Sequence, residues 1–194
     1  MKRKTIAALI AVLTVGMSTS VWAAPSISQI IPEAPVVVSG NLTGGQTLVV
    51  TNVNTNAYKN TTVAEVVKKA NDDNTVTTVK EILTELKVDT KKEEIKTTTG
   101  TKVNPTLYEQ VTPFVDLAIK EGDKTTLEST GAITATITVD AVKEMEKKDV
   151  LLMQIDPSTG KVFFVAPEKL DKATGEITAT FQTLGPVAVL KTVP

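Results

Sequence analysis

The sequence predicts an α+β fold: an antiparallel, β-sandwich-like domain with a C-terminal four-strand meander and an inserted pair of short helices. Three observations predict it. Residues 150–191 hold apolar runs separated by two copies of one turn signal, Asp-x-x-Thr-Gly, at 156–160 and 171–175. Residues 132–139 alternate, with Ile133, Ala135, Ile137 and Val139 on one side and Thr134, Thr136 and Thr138 on the other, the period of a half-buried strand. Residues 61–70 and 77–86 resemble each other position by position and carry apolar residues at helical spacing.

The first residues stand apart from that fold. Lys2, Arg3 and Lys4 precede an apolar run from Ile6 to Val15, and Val21-Trp22-Ala23 puts small residues at the −3 and −1 positions of a cleavage site. This is the pattern of a secretory signal over residues 1–23, and the run is shorter than the ~20 residues a spanning helix needs. Loss of Lys2, Arg3 and Lys4 from the 21 Lys and Arg leaves 18 against 22 Asp and Glu, a net charge of −4. That balance opposes nucleic acid or an anionic membrane as partner. No later segment has the length and apolarity of a membrane span.

Residues 24–45 are rich in Pro, Ser and Gly and are expected to form a tether with one short strand at 35–39, since Pro25, Pro32 and Pro35 oppose helix. Residues 46–194 form the expected single domain, its helical pair at about 61–87 and its main strands at about 113–191. The β-branched run 46–53 is its first strand. Each helix is expected to start with a capping box, Thr62 with Glu65 and Thr78 with Glu81. Their buried stripes are Val63, Val66, Val67 and Ala70, then Val79, Ile82, Leu83 and Leu86.

Residues 87–102 mix lysines with Asp89, Glu93 and Glu94 and read as a solvated loop. Asn104 followed by Pro105 starts a turn or two of helix reaching Gln110. Val115, Leu117 and Ile119 alternate with Asp116 and Ala118 as a strand, and residues 121–123 turn. Asp140 caps a short charged helix reaching Lys148. In the meander, Leu151, Met153 and Ile155 face one way and Val150 and Leu152 the other, so this strand is covered on both sides. Phe163 and Phe164 point to opposite faces. Ile177, Ala179 and Phe181 share one face, and Pro186 belongs at a strand start or an edge.

The chemistry available is narrow. The chain has no Cys and no His, which excludes disulfides, thiolate chemistry and the usual nucleophile–base pairs. Ser129 and Ser158 both lie in predicted turns with no motif around them. Paired carboxylates for glycoside hydrolysis have no distinguishing frame. Asp72 and Asp73, between Asn71 and Asn74, are the candidate metal ligands, but no EF-hand spacing surrounds them and the stretch reads as a helix–helix linker. The two Asp-x-x-Thr-Gly loops offer one carboxylate each against the 6–8 oxygens calcium takes. No cofactor is expected.

The run from Asp149 to Val165, and that from Gly175 to Val189, resemble the C-terminal sandwich strands of uncharacterised secreted or cell-surface proteins of Gram-positive anaerobic bacteria. Tyr108 to Lys120 is similar to the same group, so the resemblance lies mainly in residues 105–194. It implies an extracellular or cell-surface location and brings no catalytic residue. The expectation is a secreted, non-enzymatic binding or structural module whose partner is a protein or a cell-envelope component. The alternatives are a carboxylate-dependent hydrolase of extracellular glycan and a calcium-stabilised adhesin domain.

Overall fold

The computed structural model describes residues 36–39, 42, 44–72, 77–89, 95–128 and 131–193. The signal expected over 1–23, most of the tether, Asp73 and Ser129 lie outside them. Two strands come first, β1 (Val36–Ser39) and β2 (Gln46–Thr51), then two helices, α1 (Thr61–Ala70) and α2 (Val79–Glu85). A minimal hairpin follows, β3 (Ile95–Lys96) with β4 (Lys102–Val103), then β5 (Tyr108–Gln110), β6 (Val115–Glu121), β7 (Lys124–Thr126) and β8 (Ile133–Thr138). The last five are β9 (Val150–Ile155), β10 (Val162–Val165), β11 (Lys169–Asp171), β12 (Glu176–Phe181) and β13 (Gly185–Thr192).

The strand pairs are antiparallel. The smaller sheet runs β1-β8-β12-β11, and the larger runs β10-β9-β13-β6-β2, with β5 added to β13 and β7 to β6. One apolar cluster joins the inner face of the smaller sheet (Ile133, Ile137, Ile177 and Phe181) to Leu48, Leu117, Leu152 and Val189 of the larger. A second joins the opposite face of the larger sheet (Leu151, Met153, Ile155, Phe164 and Leu190) to Val63, Val66, Val67, Ile82 and Leu83 of the helices. Burial of each such side chain stabilises by roughly 1.5–3 kcal/mol. Strand β9 faces both clusters, as its two apolar faces predict.

Residues 150–191 do not form one meander. β9 and β10 make a hairpin in the larger sheet, β11 and β12 a hairpin in the smaller, and β13 returns to lie between β9 and β6. The reason is which faces are apolar. β12 has a single apolar face and fits a sheet covered on one side. Val187, Ala188, Val189 and Leu190 of β13 are all buried, so that strand needs cover on both sides. Pro186 lies at the second position of β13, near the strand start as expected.

The repeated turn is built as its residues dictate. The Asp156 carboxylate accepts the N–H groups of Ser158 and Thr159 at 2.8 and 3.1 Å. Asp171 accepts those of Ala173 and Thr174 at 3.0 and 3.4 Å. Gly160 and Gly175 both close the loop at φ +77°, where a side chain is strained.

Other expectations need correction. Helix α1 is capped by Asn60, whose side chain accepts from Val63 N–H at 3.2 Å, because the helix begins at Thr61 and Thr62 is already inside it. Thr78 and Glu81 do form their capping box on α2. The expected loop at 87–102 contains the β3–β4 hairpin, whose turn donates Thr98 N–H to the Phe164 carbonyl at 2.9 Å. Asn104 caps a single 3-10 turn over Pro105–Leu107, and the chain then straightens into β5, paired with β13. In place of the expected charged helix capped by Asp140, Asp140–Glu144 and Lys147–Asp149 form two 3-10 turns, and Asp140 lies inside the first rather than capping it. The short β7 and β11 are additional strands.

Candidate functional site

Four buried polar side chains stand out among the described residues: Thr97, Thr112, Asp116 and Gln154. Asp116 is the one carboxylate among them and is 1 % exposed. It sits on β6 opposite Thr51 of β2 and Pro186 of β13. Its Oδ1 accepts from the Tyr58 hydroxyl at 2.5 Å, and its Oδ2 accepts from Asn54 N–H at 2.9 Å. Burial pushes the Asp116 carboxyl above the ordinary carboxylate range, and the two donors pull it part of the way back. Burial pushes the Tyr58 hydroxyl far up, and the adjacent Asp116 raises it further.

A buried carboxyl with a raised pKa is a candidate acid or base. Here both oxygens are committed to donors that fix the chain between β2 and α1. The group therefore acts as a brace: it holds residues 54–58 against β6. A sequence reader meets Asp116 as one polar residue in an alternating strand. The signal that separates it is that Ala118, two residues on and on the same face of the strand, is apolar and fully buried, so a carboxylate on that face is covered too.

Three more side chains do similar work. The Asn71 amide donates to the Phe114 carbonyl at 2.8 Å and accepts Phe114 N–H at 2.7 Å. Gln154 donates to the Thr183 carbonyl at 2.6 Å and accepts Gln182 N–H at 2.9 Å. The Thr112 hydroxyl accepts from Val189 N–H at 2.9 Å. Each supplies backbone groups with partners where the sheet ladder does not, which is what buried N–H and C=O groups require. The Thr77 hydroxyl is the one buried side-chain oxygen among the described residues without a partner.

Of the candidate metal ligands, Asp72 lies exposed just after α1, its N–H donating to the Lys69 carbonyl at 3.2 Å, and Asp73 lies outside the described residues. The neighbouring Asn71 oxygen is turned inward onto Phe114. Among the described residues no three His, Cys, Asp or Glu side chains are grouped closely enough to hold an ion. Phe164 is buried under the helices, while Phe163 is half-buried on the other face with the Lys161 ammonium 4.7 Å from its ring centre. No described helix is long and apolar enough to cross a membrane.

The outer face of the smaller sheet carries the most ordered set of polar groups. Alternation in β8 and β12 sends Ile and Ala inward and Thr outward. The hydroxyls then meet across the strands, Thr134 with Thr180 at 2.6 Å and Thr136 with Thr178 at 2.9 Å. Thr180 also donates to Glu168 at 2.5 Å. The next rank sets Thr138 opposite Glu176. These threonines are half-buried and are held in a fixed array by bonds to one another.

Comparison with protein-family models, curated proteins and solved structures finds no match to this chain.

Proposed function

We propose that the chain is an exported, non-enzymatic binding or structural module that acts at the cell surface or in the extracellular space. Its two facing sheets are read as a sandwich-like scaffold, and its partner is a protein or cell-envelope component. The observation that carries this reading is the threonine array on the smaller sheet. A hydroxyl surface fixed by cross-strand bonds loses little side-chain entropy on contact, and its remaining lone pairs are spaced by the strand repeat. The leader pattern in residues 1–23 and the resemblance over residues 105–194 support export.

The test is retention of the purified protein on envelope fractions from the producing cells. Wild type is expected to be retained and a Thr136→Lys, Thr178→Lys variant released. Equal retention of both, or none by either, removes the reading.

The second reading is a carboxylate-dependent hydrolase of extracellular glycan, for which Asp116 is the one buried carboxylate among the described residues, its two oxygens held by the Tyr58 hydroxyl and Asn54 N–H. Under it, Asp116→Asn abolishes glycan cleavage by the wild-type protein. No cleavage by wild type ends that alternative.

A further inference from the structure

Strand β2 ends the larger sheet, and among the described residues β6 is the one strand it pairs with, while β1 of the smaller sheet lies close by without pairing. An edge strand presents alternate N–H and C=O groups outward, a template for another strand. The other edges are guarded. Phe164 on β10 takes Thr98 N–H from the β3–β4 turn at 2.9 Å. β5, β7 and β11 are three residues each and carry Glu109, Lys124, or Lys169 and Asp171. β1 pairs with β8 through an irregular register between Val37 and Ser39. β2 alone runs six residues without a charge.

Its sequence is also close to self-complementary. Antiparallel pairing of two β2 strands about a two-fold axis at Val49 sets Thr47 against Thr51, Leu48 against Val50, and Val49 against Val49. Threonine opposite threonine and β-branched opposite β-branched are favourable cross-strand pairs. The fold already uses Thr–Thr pairing twice between β8 and β12. Moving the axis by one residue sets Thr47 opposite Val49, or Val49 opposite Thr51, and loses the match. Leu48 and Val50 are buried toward the smaller sheet, so this pairing extends that apolar layer from copy to copy. Val49 belongs to neither apolar cluster and is half-buried at the proposed axis.

We propose that β2 is a self-association edge: two copies of this chain join their larger sheets through antiparallel β2–β2 pairing centred on Val49. The interface is isologous, as two-fold pairing demands. It does not depend on the threonine array being a contact surface.

The test combines sedimentation over a wide concentration range with amide hydrogen exchange. Wild type is expected to pass from monomer to dimer, and the outward amides within 47–51 to slow as it does. Val49→Lys and Val49→Asp each place like charges opposite one another and are expected to raise the dimer dissociation constant about tenfold or more. An equimolar mixture of the two variants restores the dimer. A monomer at every concentration overturns the proposal. So does a dimer that Val49→Lys leaves unchanged. Protection of 47–51 that is independent of concentration also overturns it, because the edge is then covered within one chain. If neither variant folds, the exchange of the wild-type edge decides alone.

Discussion

Asn71 and Phe114 pair as two strand residues would: one side-chain amide takes both the N–H and the C=O of one backbone position, at 2.7 and 2.8 Å. The pairing ties the end of α1 to the entry of β6. Phe114 is 1 % exposed, so water has little access to groups left free. Asn71→Ala is expected to destabilise by about 2–3 kcal/mol, most of it the cost of two stranded backbone groups. Urea unfolding measures it. A change below about 0.5 kcal/mol would show that the brace does nothing.

Asp116 gives the protein a pH dependence of defined sign. Its folded pKa lies above its unfolded value of about 3.9. Between the two values the folded state holds a proton that the unfolded state has released, so stability falls as pH rises. The contribution is fully present below the unfolded pKa and is lost as pH rises through the folded one. Asp116→Asn removes this slope. Unfolding free energies of wild type and variant across acidic to neutral pH are expected to diverge, wild type declining relative to the variant. Parallel curves would contradict the assignment.

Tyr58→Phe tests the same pair from the other side. It deletes the hydroxyl that Asp116 Oδ1 accepts from and leaves the ring in the second apolar cluster. A loss of about 1.5–3 kcal/mol is expected above the folded pKa of Asp116, where the bond is charge-assisted. The loss should shrink in acid. A pH-independent effect would point to ring packing instead.

Two glycines of similar backbone sign should behave differently. A Cβ on Gly185, at φ +119°, would lie 2.6 Å from Cδ of Pro157. A Cβ on Gly160, at φ +77°, would meet Nδ2 of Asn60 at 3.0 Å, so the side chain that caps α1 must give by a few tenths of an ångström. Gly160→Ala is expected to cost about 1–3 kcal/mol, the left-handed backbone penalty together with some loosening of the Asn60 cap. Gly185→Ala should cost clearly more, because a proline ring in a closed turn cannot step aside. Thermal denaturation of both variants ranks them.

Lys87 is the converse case. It holds φ +57° just past α2, with its N–H on the Thr84 carbonyl at 3.0 Å and Val88 N–H on the Leu83 carbonyl at 2.9 Å. That is a Schellman ending with lysine where glycine fits best. Lys87→Gly is expected to stabilise by about 0.5–1 kcal/mol. A destabilised variant would show that the lysine side chain contributes more than its backbone costs.

What local chemistry determines was legible. Period-2 alternation located β8 and β12, the Asp-x-x-Thr-Gly frames located both tight turns, and the i, i+3, i+4 stripes located both helices. The sorting of strands between sheets was less so, because hairpin chemistry joins neighbours but does not say which sheet a pair enters. The unbroken apolar run from Val187 to Leu190 was the available clue that β13 leaves β12 for a doubly covered position. The braces were hidden for a different reason. Asn71 sits in a polar linker and Asp116 in an alternating strand, and only the assembled fold shows each facing backbone groups that lack a ladder partner.

The place of β13 has a consequence for how the molecule comes into being. It is the strand of the larger sheet synthesised after all the others, yet it lies between β9 and β6. Until residues 185–192 emerge, that sheet exists as two separate halves, β10–β9 on one side and β6–β2 on the other. The gap closes through pairings distant in sequence, such as Val189 with Thr112, which come slowly. A chain halted before β13 thus carries two extra open edges, on β9 and β6, each a template for a stray strand.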